Sequence, residues 1–490
     1  MRLSPWPLLL LLCACAATPR RAPNIIYILA DDLGYGELGC YGQEKIRTPR
    51  LDTLAAEGMR FTRHYSGSAV CAPARCSLLT GMHQGHASIR GNDEVGSRGD
   101  VWRDPELEGQ RPMPASDVTV AELLKQAGYA TAAIGKWGLG WMGSSGDPLS
   151  QGFDLFFGYN CQRIAHSYYP VFLWRNHDKV YLDNDFTYPH EKLPAGLKPE
   201  NPASYERYSS RDYAMDRMTE EALSFVRANA ERPFFLYLPY PVPHVALQVP
   251  EDSLAEYEGA FPETPYTGGK GYLPHHTPRA AYAAMITRMD RDIGRLLDLL
   301  DELELTDDTL VVFTSDNGPT YAGGVDYEFF KSAGELRGLK GSLFEGGVRV
   351  PMLARWPGQI PAGSESDHLS AHWDVLPTLC AVAGMEAPDE VDGISFLPTL
   401  LEQGENQDQH ASLYWEHARR WQAAIEGPWK AVRRKPGEAL MLFNLESDPA
   451  EKHNLADDNP DLVTHFEELF ANSRTQSEHF SLQAPKKENG

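Results

Sequence analysis

Positive charge is the first scarcity in this chain. Over 490 residues, 45 Lys and Arg stand against 68 Asp and Glu, a formal balance of −23. Phosphate backbones are held by Lys and Arg that release counterions, so the composition argues against a nucleic-acid partner. An anionic substrate would need a local cationic site or a metal to overcome the overall field. Long apolar runs are missing too. The N-terminal run Pro7–Leu12 falls far short of the about 20 residues a bilayer-spanning helix requires. No later stretch reads as a transmembrane helix. Cysteine is sparse, with seven residues at 13, 15, 40, 71, 76, 161 and 380. Two lie in the leader, and the odd number remaining leaves at least one unpaired. Repeats are absent as well. Apolar content of 42% and charged content of 23% match the globular average and exclude a disordered chain, a collagen or a coiled coil.

The leader reads as an export signal over residues 1–17. Met1-Arg2 is followed by the apolar run and by the small residues Cys13-Ala14-Cys15-Ala16-Ala17, with cleavage expected near Ala16 or Ala17. The protein is therefore expected to be periplasmic or secreted. Leu12-Cys13-Ala14-Cys15 also resembles a lipobox, although Cys13 is unusual there. It would add a lipid anchor and make the protein an outer-membrane lipoprotein.

Asn24–Ala30 and Thr309–Ser315 are short β-branched apolar runs, the pattern of strands buried on both faces. Ala130–Ile134 and Phe234–Leu238 are two more. Amphipathic helical patterns fall between them at Thr119–Gln126, Arg211–Ala228 and Ala280–Glu304. The alternation predicts an α/β fold, a large mostly parallel sheet sandwiched by helices, over residues 23–397. Gly and Pro gather at about 140–205 and 240–278 and predict long loops on one rim. From residue 398 to 490 the texture changes. Ser412–Trp415, Gln422–Ile425, Trp429–Arg433 and Leu440–Asn444 read as short antiparallel strands, and Pro460–Ala471 as a closing helix. This is a small C-terminal α+β subdomain.

Ligands of open parallel sheets bind beyond the carboxyl ends of the strands. Four strands deliver polar residues there: Asp31-Asp32, Asp316-Asn317, Lys136 and His244. One Asp after a strand is more often a cap. Two such pairs at equivalent positions suggest a metal site. Three carboxylates and a carboxamide offer oxygen only, which suits Ca²⁺ or Mg²⁺ rather than Zn²⁺. Cys71 precedes Pro73, which belongs in the first turn of a helix. That places Cys71 at a helix N-terminus, where a thiol is predicted to be acidic and reactive. A disulfide from Cys71 to Cys76 is awkward at this spacing, and Cys76 reads as a buried structural thiol.

Cys71-x-Pro73-x-Arg75 followed by Thr80-Gly81 resembles the signature of the formylglycine-dependent sulfatases. Gly128-Tyr129-Ala130-Thr131 with Gly135-Lys136-Trp137, Val242-Pro243-His244, Arg337–Gly341, Glu345–Pro351 and Leu442–Leu455 resemble that family's further motifs in order. The resemblance covers nearly all of the chain beyond the leader. It implies an alkaline-phosphatase-like fold and hydrolysis of a sulfate ester. Cys71 would be oxidised by a maturation enzyme to formylglycine, whose hydrate supplies an oxygen nucleophile. Asp31, Asp32, Asp316 and Asn317 would hold Ca²⁺, with Mg²⁺ as the alternative. Arg75 would hold the hydrate and the carboxylates, Lys136 and Lys340 would neutralise the sulfate, and His244, with Lys340, would protonate the leaving oxygen.

One position departs from the pattern. The family usually has His two residues after the lysine of Gly-Lys, and this chain has Gly138. Slow or absent turnover, a substituting water, or another residue in the same space would each account for it. His166 is the candidate for the third, its imidazole expected in the space left over Gly138. Arg90, Gln162, Tyr169, Trp174 and Trp415 are candidate substrate readers. With an export signal, a sulfated carbohydrate is the expected substrate class. Two alternatives remain: an inactive sulfated-glycan-binding homologue, and a phosphodiesterase or phosphonate monoester hydrolase.

Overall fold

The structure, a computed structural model, describes residues 21–95 and 109–482. The leader at 1–17 lies outside the described residues. Asn24–Asp31 is buried along its whole length, and a strand apolar on both faces has no stable place except the middle of a covered sheet. It occupies that place, paired in parallel with Phe234–Pro243 on one side and Thr309–Ser315 on the other. Ala130–Lys136 and Leu155–Tyr159 extend the parallel run beyond Phe234–Pro243. The ten-stranded sheet is finished at one end by an antiparallel hairpin, Phe172–Arg175 with Asp178–Tyr181. At the other end lie Met352–Arg355, Met59–Phe61 and Ser364–Ser366.

Alternate residues of the central strand feed two separate cores, as the pleat requires. Ile26 and Ile28 face the helices Ala214–Ala228 and Pro278–Glu302, meeting Met215, Met285 and Ile293. Ile25, Tyr27 and Leu29 face the opposite layer, where Cys71–Thr80, Val120–Gln126 and Val375–Val382 contribute Leu78, Leu124 and Leu379. The stretch expected as rim loops at 140–205 is partly sheet, because Leu155–Tyr159 and the edge hairpin lie within it. Segments of four or five residues are too short to show a period. All five described cysteines are free thiols. Among the described residues, no helix is long and apolar enough to cross a membrane.

The C-terminal unit is a four-stranded antiparallel sheet, Leu413–His417, Trp421–Glu426, Trp429–Arg433 and Met441–Asn444. The helix Pro460–Asn472 covers one face with Phe466 and Phe470. The other face meets Tyr65, Phe344 and Trp373 of the large domain. The junction is ionic at its centre. Lys430, fully buried, sits 2.8 Å from Glu345 Oε1 and 3.1 Å from Glu451 Oε1. Tyr65 donates a further bond of 2.8 Å to Glu345 Oε2. Burial, opposed by Lys430 and reinforced by Glu345, pushes Glu451 up to about 7.

A buried charge left without its partner costs about 3–5 kcal/mol. Lys430→Met is therefore expected to lose that much in urea unfolding at neutral pH. The raised Glu451 is stabilising when protonated, so its contribution is present below its unfolded value and lost as pH rises through about 7. Without Lys430 to oppose it, the deficit should be larger at pH 8 than at pH 5. An equal deficit at both would show that the cluster does not carry this charge.

Candidate active site

The strand register makes the site. Ala30 pairs with Ser315, and Asp316 N donates to Ala30 O at 2.9 Å. Asp31 and Asp316 thus leave the sheet side by side. Asp32 then turns the chain with φ 66°, a left-handed conformation that Asp and Asn tolerate better than most residues. Its amide donates to Asp316 Oδ1 at 3.1 Å, and Asn317 Nδ2 donates to Asp32 Oδ1 at 2.7 Å. Pairing of Asp31 with Pro243 carries the neighbouring strand to the same edge and delivers His244.

Two buried carboxylates this close need a cation between them. Arg75, fully buried in the helix Cys71–Thr80, supplies it. Its Nε and Nη2 donate to Asp316 Oδ2 at 3.2 and 2.9 Å, and Nη2 lies 3.4 Å from Asp31 Oδ2. Nη1 donates to the Lys136 carbonyl. Lys136 Nζ bonds Asp31 Oδ2 at 2.5 Å, and Lys340 Nζ lies 2.6 Å from Asp32 Oδ1. Three carboxylates therefore face three cations. Cys71 Sγ sits among them, 3.3 Å from Asp31 Oδ1 and 3.5 Å from Lys340 Nζ. His244 closes the group with Nε2 3.8 Å from Asp32 Oδ2, its Nδ1 bonded to Val245 O at 2.5 Å.

Burial works against every charge here, and the partners decide the outcome. Lys136, with help from His244 and Arg75, outweighs burial at Asp31 and holds its carboxyl far below the usual range. Burial and the adjacent Asp31 push Asp316 up to about 7. Asp32 outweighs burial at Lys340 and keeps its ammonium charged. Burial and Lys340 bring His244 down to about 4. The expected acidity of Cys71 is corrected: burial first, then Asp31, push the thiol up to about 12. Its place at a helix start is as expected, but the desolvation and the carboxylate outweigh the helix dipole.

The residues present fit a hard divalent cation. Asn317 Oδ1 is buried without a hydrogen-bond partner, and it lies in the same pair as Asp316, beside Asp31 and Asp32. Ligand atoms of Asp31, Asp32, Cys71 and His244 all fall within 4.8 Å of one another. Within and beside that group, the carboxylates of Asp31, Asp32 and Asp316 and the Oδ1 of Asn317 are the oxygen donors, and such donors suit Ca²⁺ or Mg²⁺.

A family model described as Sulfatase matches residues 23–385. The chain belongs to the sulfatase family. A second model, described as N-sulphoglucosamine sulphohydrolase, C-terminal, matches residues 339–476 of this sulfatase. An N-acetylgalactosamine-6-O-sulfatase of Bacteroides thetaiotaomicron is 30% identical, over 93% of each chain. The solved structure of Ps i-CgsB in complex with k-i-k-neocarrahexaose is 27% identical with TM-score 0.74, covering 94% of this chain and 95% of that one. A phosphonate monoester hydrolase of Agrobacterium radiobacter shares the fold, with TM-score 0.64 at 21% identity, covering 92% and 95%. The sulfatase is a sulfuric ester hydrolase.

The space over Gly138 is not open, and His166 does not fill it. A Cβ at Gly138, whose φ is +84°, would stand 2.6 Å from both Cγ and Nε2 of Gln162. Gln162 has taken the place. His166, on the short turn Ile164–His166, instead stacks on His244 with centroids 4.8 Å apart and planes at 19°. Tyr272 and His190 extend this wall, with Tyr272 5.0 Å from His166 and 4.8 Å from His190. Sequence reasoning missed Tyr272. A lone Tyr in a Gly- and Pro-rich loop gave no signal, and its φ of 63° is visible only in the fold.

The other candidate substrate readers are engaged in packing or ion pairs. Arg90 is buried against Glu416 at 3.2 Å and ties the large domain to the C-terminal unit. Trp415 is a core residue whose Nε1 donates to Ser66 O at 2.8 Å. Tyr169 packs on Tyr213 in the core, centroids 5.4 Å apart. Trp174 packs on Phe172 within the edge hairpin.

Arg75→Lys keeps the charge and loses the planar fork that spans Asp316, Asp31 and the Lys136 carbonyl. Sulfate release is expected to fall by more than about 100-fold, with unchanged far-ultraviolet circular dichroism. Activity within a few-fold of wild type would mean that the fork does not hold the site together.

Proposed function

We propose that this sulfatase is an exported enzyme that removes sulfate from a glycan, using an oxygen nucleophile made from Cys71. The observation that carries the reading is the placement of Cys71 Sγ between Asp31 and Lys340, beside the carboxylates of Asp31 and Asp32 and the unpartnered Oδ1 of Asn317. The substrate class is supported by a relative named for N-acetylgalactosamine 6-O-sulfate hydrolysis and a neighbour solved with k-i-k-neocarrahexaose, and by the leader.

When bound, a divalent cation on Asp31, Asp32, Asp316 and Asn317 would act as a Lewis acid toward the sulfate oxygens. Formylglycine at position 71 would supply hydroxyl oxygen in place of the thiol. Asp31, 3.3 Å from Sγ, would orient the attacking hydroxyl by accepting its hydrogen bond. Lys136 and Lys340 present fixed positive charge to the sulfate, which needs no reorganisation as the reaction proceeds. Lys340 and His244 both lie against Asp32 and would protonate the leaving alcohol, the charged Lys340 supplying the proton and the neutral His244 relaying it. His166 stacks on His244 and fixes the plane of that ring. Because Sγ is buried, oxidation of Cys71 precedes closure of the fold around it.

Three outcomes check this reading. In protein from its native host, the tryptic peptide His64–Arg75 should carry the mass of an aldehyde at position 71. An unmodified thiol there removes the nucleophile and leaves the glycan-binding alternative. Chelation by EDTA should lower the melting temperature, and Ca²⁺ should restore it, by the linkage of binding to stability. His244→Ala should lower kcat by about 10²–10⁴-fold on a sugar sulfate. On an activated aryl sulfate, whose leaving group needs no proton, the loss should be much smaller. Equal losses on both would assign His244 to another role.

A further inference from the structure

Gln162 is unexplained by the chemistry above. It is 6% exposed, and its Nε2 is buried without a hydrogen-bond partner. A buried donor left unmade is costly, so a retained one points to an acceptor that arrives from outside. Its position is set by backbone bonds. Trp137 N donates to Tyr159 O at 2.9 Å and Gly138 N to Asn160 O at 3.0 Å, zipping the loop that carries Gln162 to the residues just after Lys136. Gly138 is what admits it, since any Cβ there would meet the carboxamide at 2.6 Å. The chain thus holds an unsatisfied amide donor against Gly138, two residues after Lys136, whose Nζ is on Asp31, and on the loop that also carries His166, which stacks on His244.

We propose that Gln162 is a specificity residue that donates from Nε2 to an oxygen of the substrate's sulfate, from the volume a side chain at position 138 would otherwise fill. The proposal rests on the sulfatase reading and names the residue that reads the anion. The donor is neutral, so it adds a directed bond without adding charge to the site. It also explains why position 138 is glycine. The two residues compete for one space, and the loop has supplied the polar group.

The test uses full-length matured enzyme. Wild type is assayed on a sulfated disaccharide and on 4-nitrophenyl sulfate, and inorganic sulfate is titrated as the probe ligand by calorimetry and as an inhibitor. No sulfate release from either ester overturns the sulfatase reading itself. Calorimetry still reports on Gln162 in that case. Gln162→Met fills the same volume without a donor, and Gln162→Glu replaces the donor with an anion. Methionine should weaken sulfate binding and raise KM by roughly tenfold, and glutamate by more than about 100-fold, with kcat less affected and melting temperatures near wild type. Sulfate affinity within twofold of wild type in both variants overturns the proposal. Gly138→His should lose melting temperature through the clash, and adding Gln162→Gly should recover part of it. Strictly additive effects in that cycle would show that the two residues do not share a space, and would also overturn it.

Discussion

The site depends on the apposition of Asp31 and Asp316. Parallel pairing of two buried strands leaves no freedom over which residues emerge together, and here it brings out two carboxylates. In a low-dielectric interior that contact is strongly unfavourable unless it is neutralised. Arg75 meets the demand from the helix Cys71–Thr80, and its fork also takes up the Lys136 carbonyl. The guanidinium therefore does two things. It makes the sheet edge affordable in charge terms, and it fixes the relation between Cys71, four residues before it on one helix, and the carboxylates. Lys136 and Lys340 then pair with the remaining carboxylate oxygens. The cations that would face a sulfate are placed by the same carboxylates that would face a metal.

Much of this was legible in the sequence, for physical reasons that differ by element. Asn24–Asp31 and Thr309–Ser315 were readable because a strand buried on both faces can be nothing but apolar. The Cys71 motif was readable because Pro73 belongs in the first turn of a helix. Burial through space was not readable. The thiol at the helix start looked acidic because a helix dipole is visible in sequence, whereas the neighbouring Asp31 and complete desolvation are not. Arg90 looked like a ligand reader and is a structural tie, because its partner Glu416 lies 326 residues away. Gly138 announced a missing side chain. Only the fold showed that Gln162, not His166, had replaced its volume.

The C-terminal unit belongs to the same physical system. Lys430 holds Glu345, and Glu345 begins the short turn Glu345–Val348. That turn backs directly onto Gly318, whose amide donates to Gly347 O at 3.0 Å and whose missing Cβ would stand 1.9 Å from Gly346 O. No other residue fits there, because the obstacle is backbone and cannot move aside. Gly318 in turn anchors Asn317, the residue with the unsatisfied buried oxygen. Lys340 is fixed nearby, with its amide on Pro319 O at 3.0 Å. A single run of contacts thus leads from a buried lysine of the small sheet to the carboxamide of Asn317 and the ammonium of Lys340. The position of Asn317 is set from two directions, by the strand that ends in Asp316 and by a turn that the small sheet pins through Lys430. A large parallel sheet alone would supply only the first of these, and a cation site with ligands on two successive residues needs both to fix its geometry.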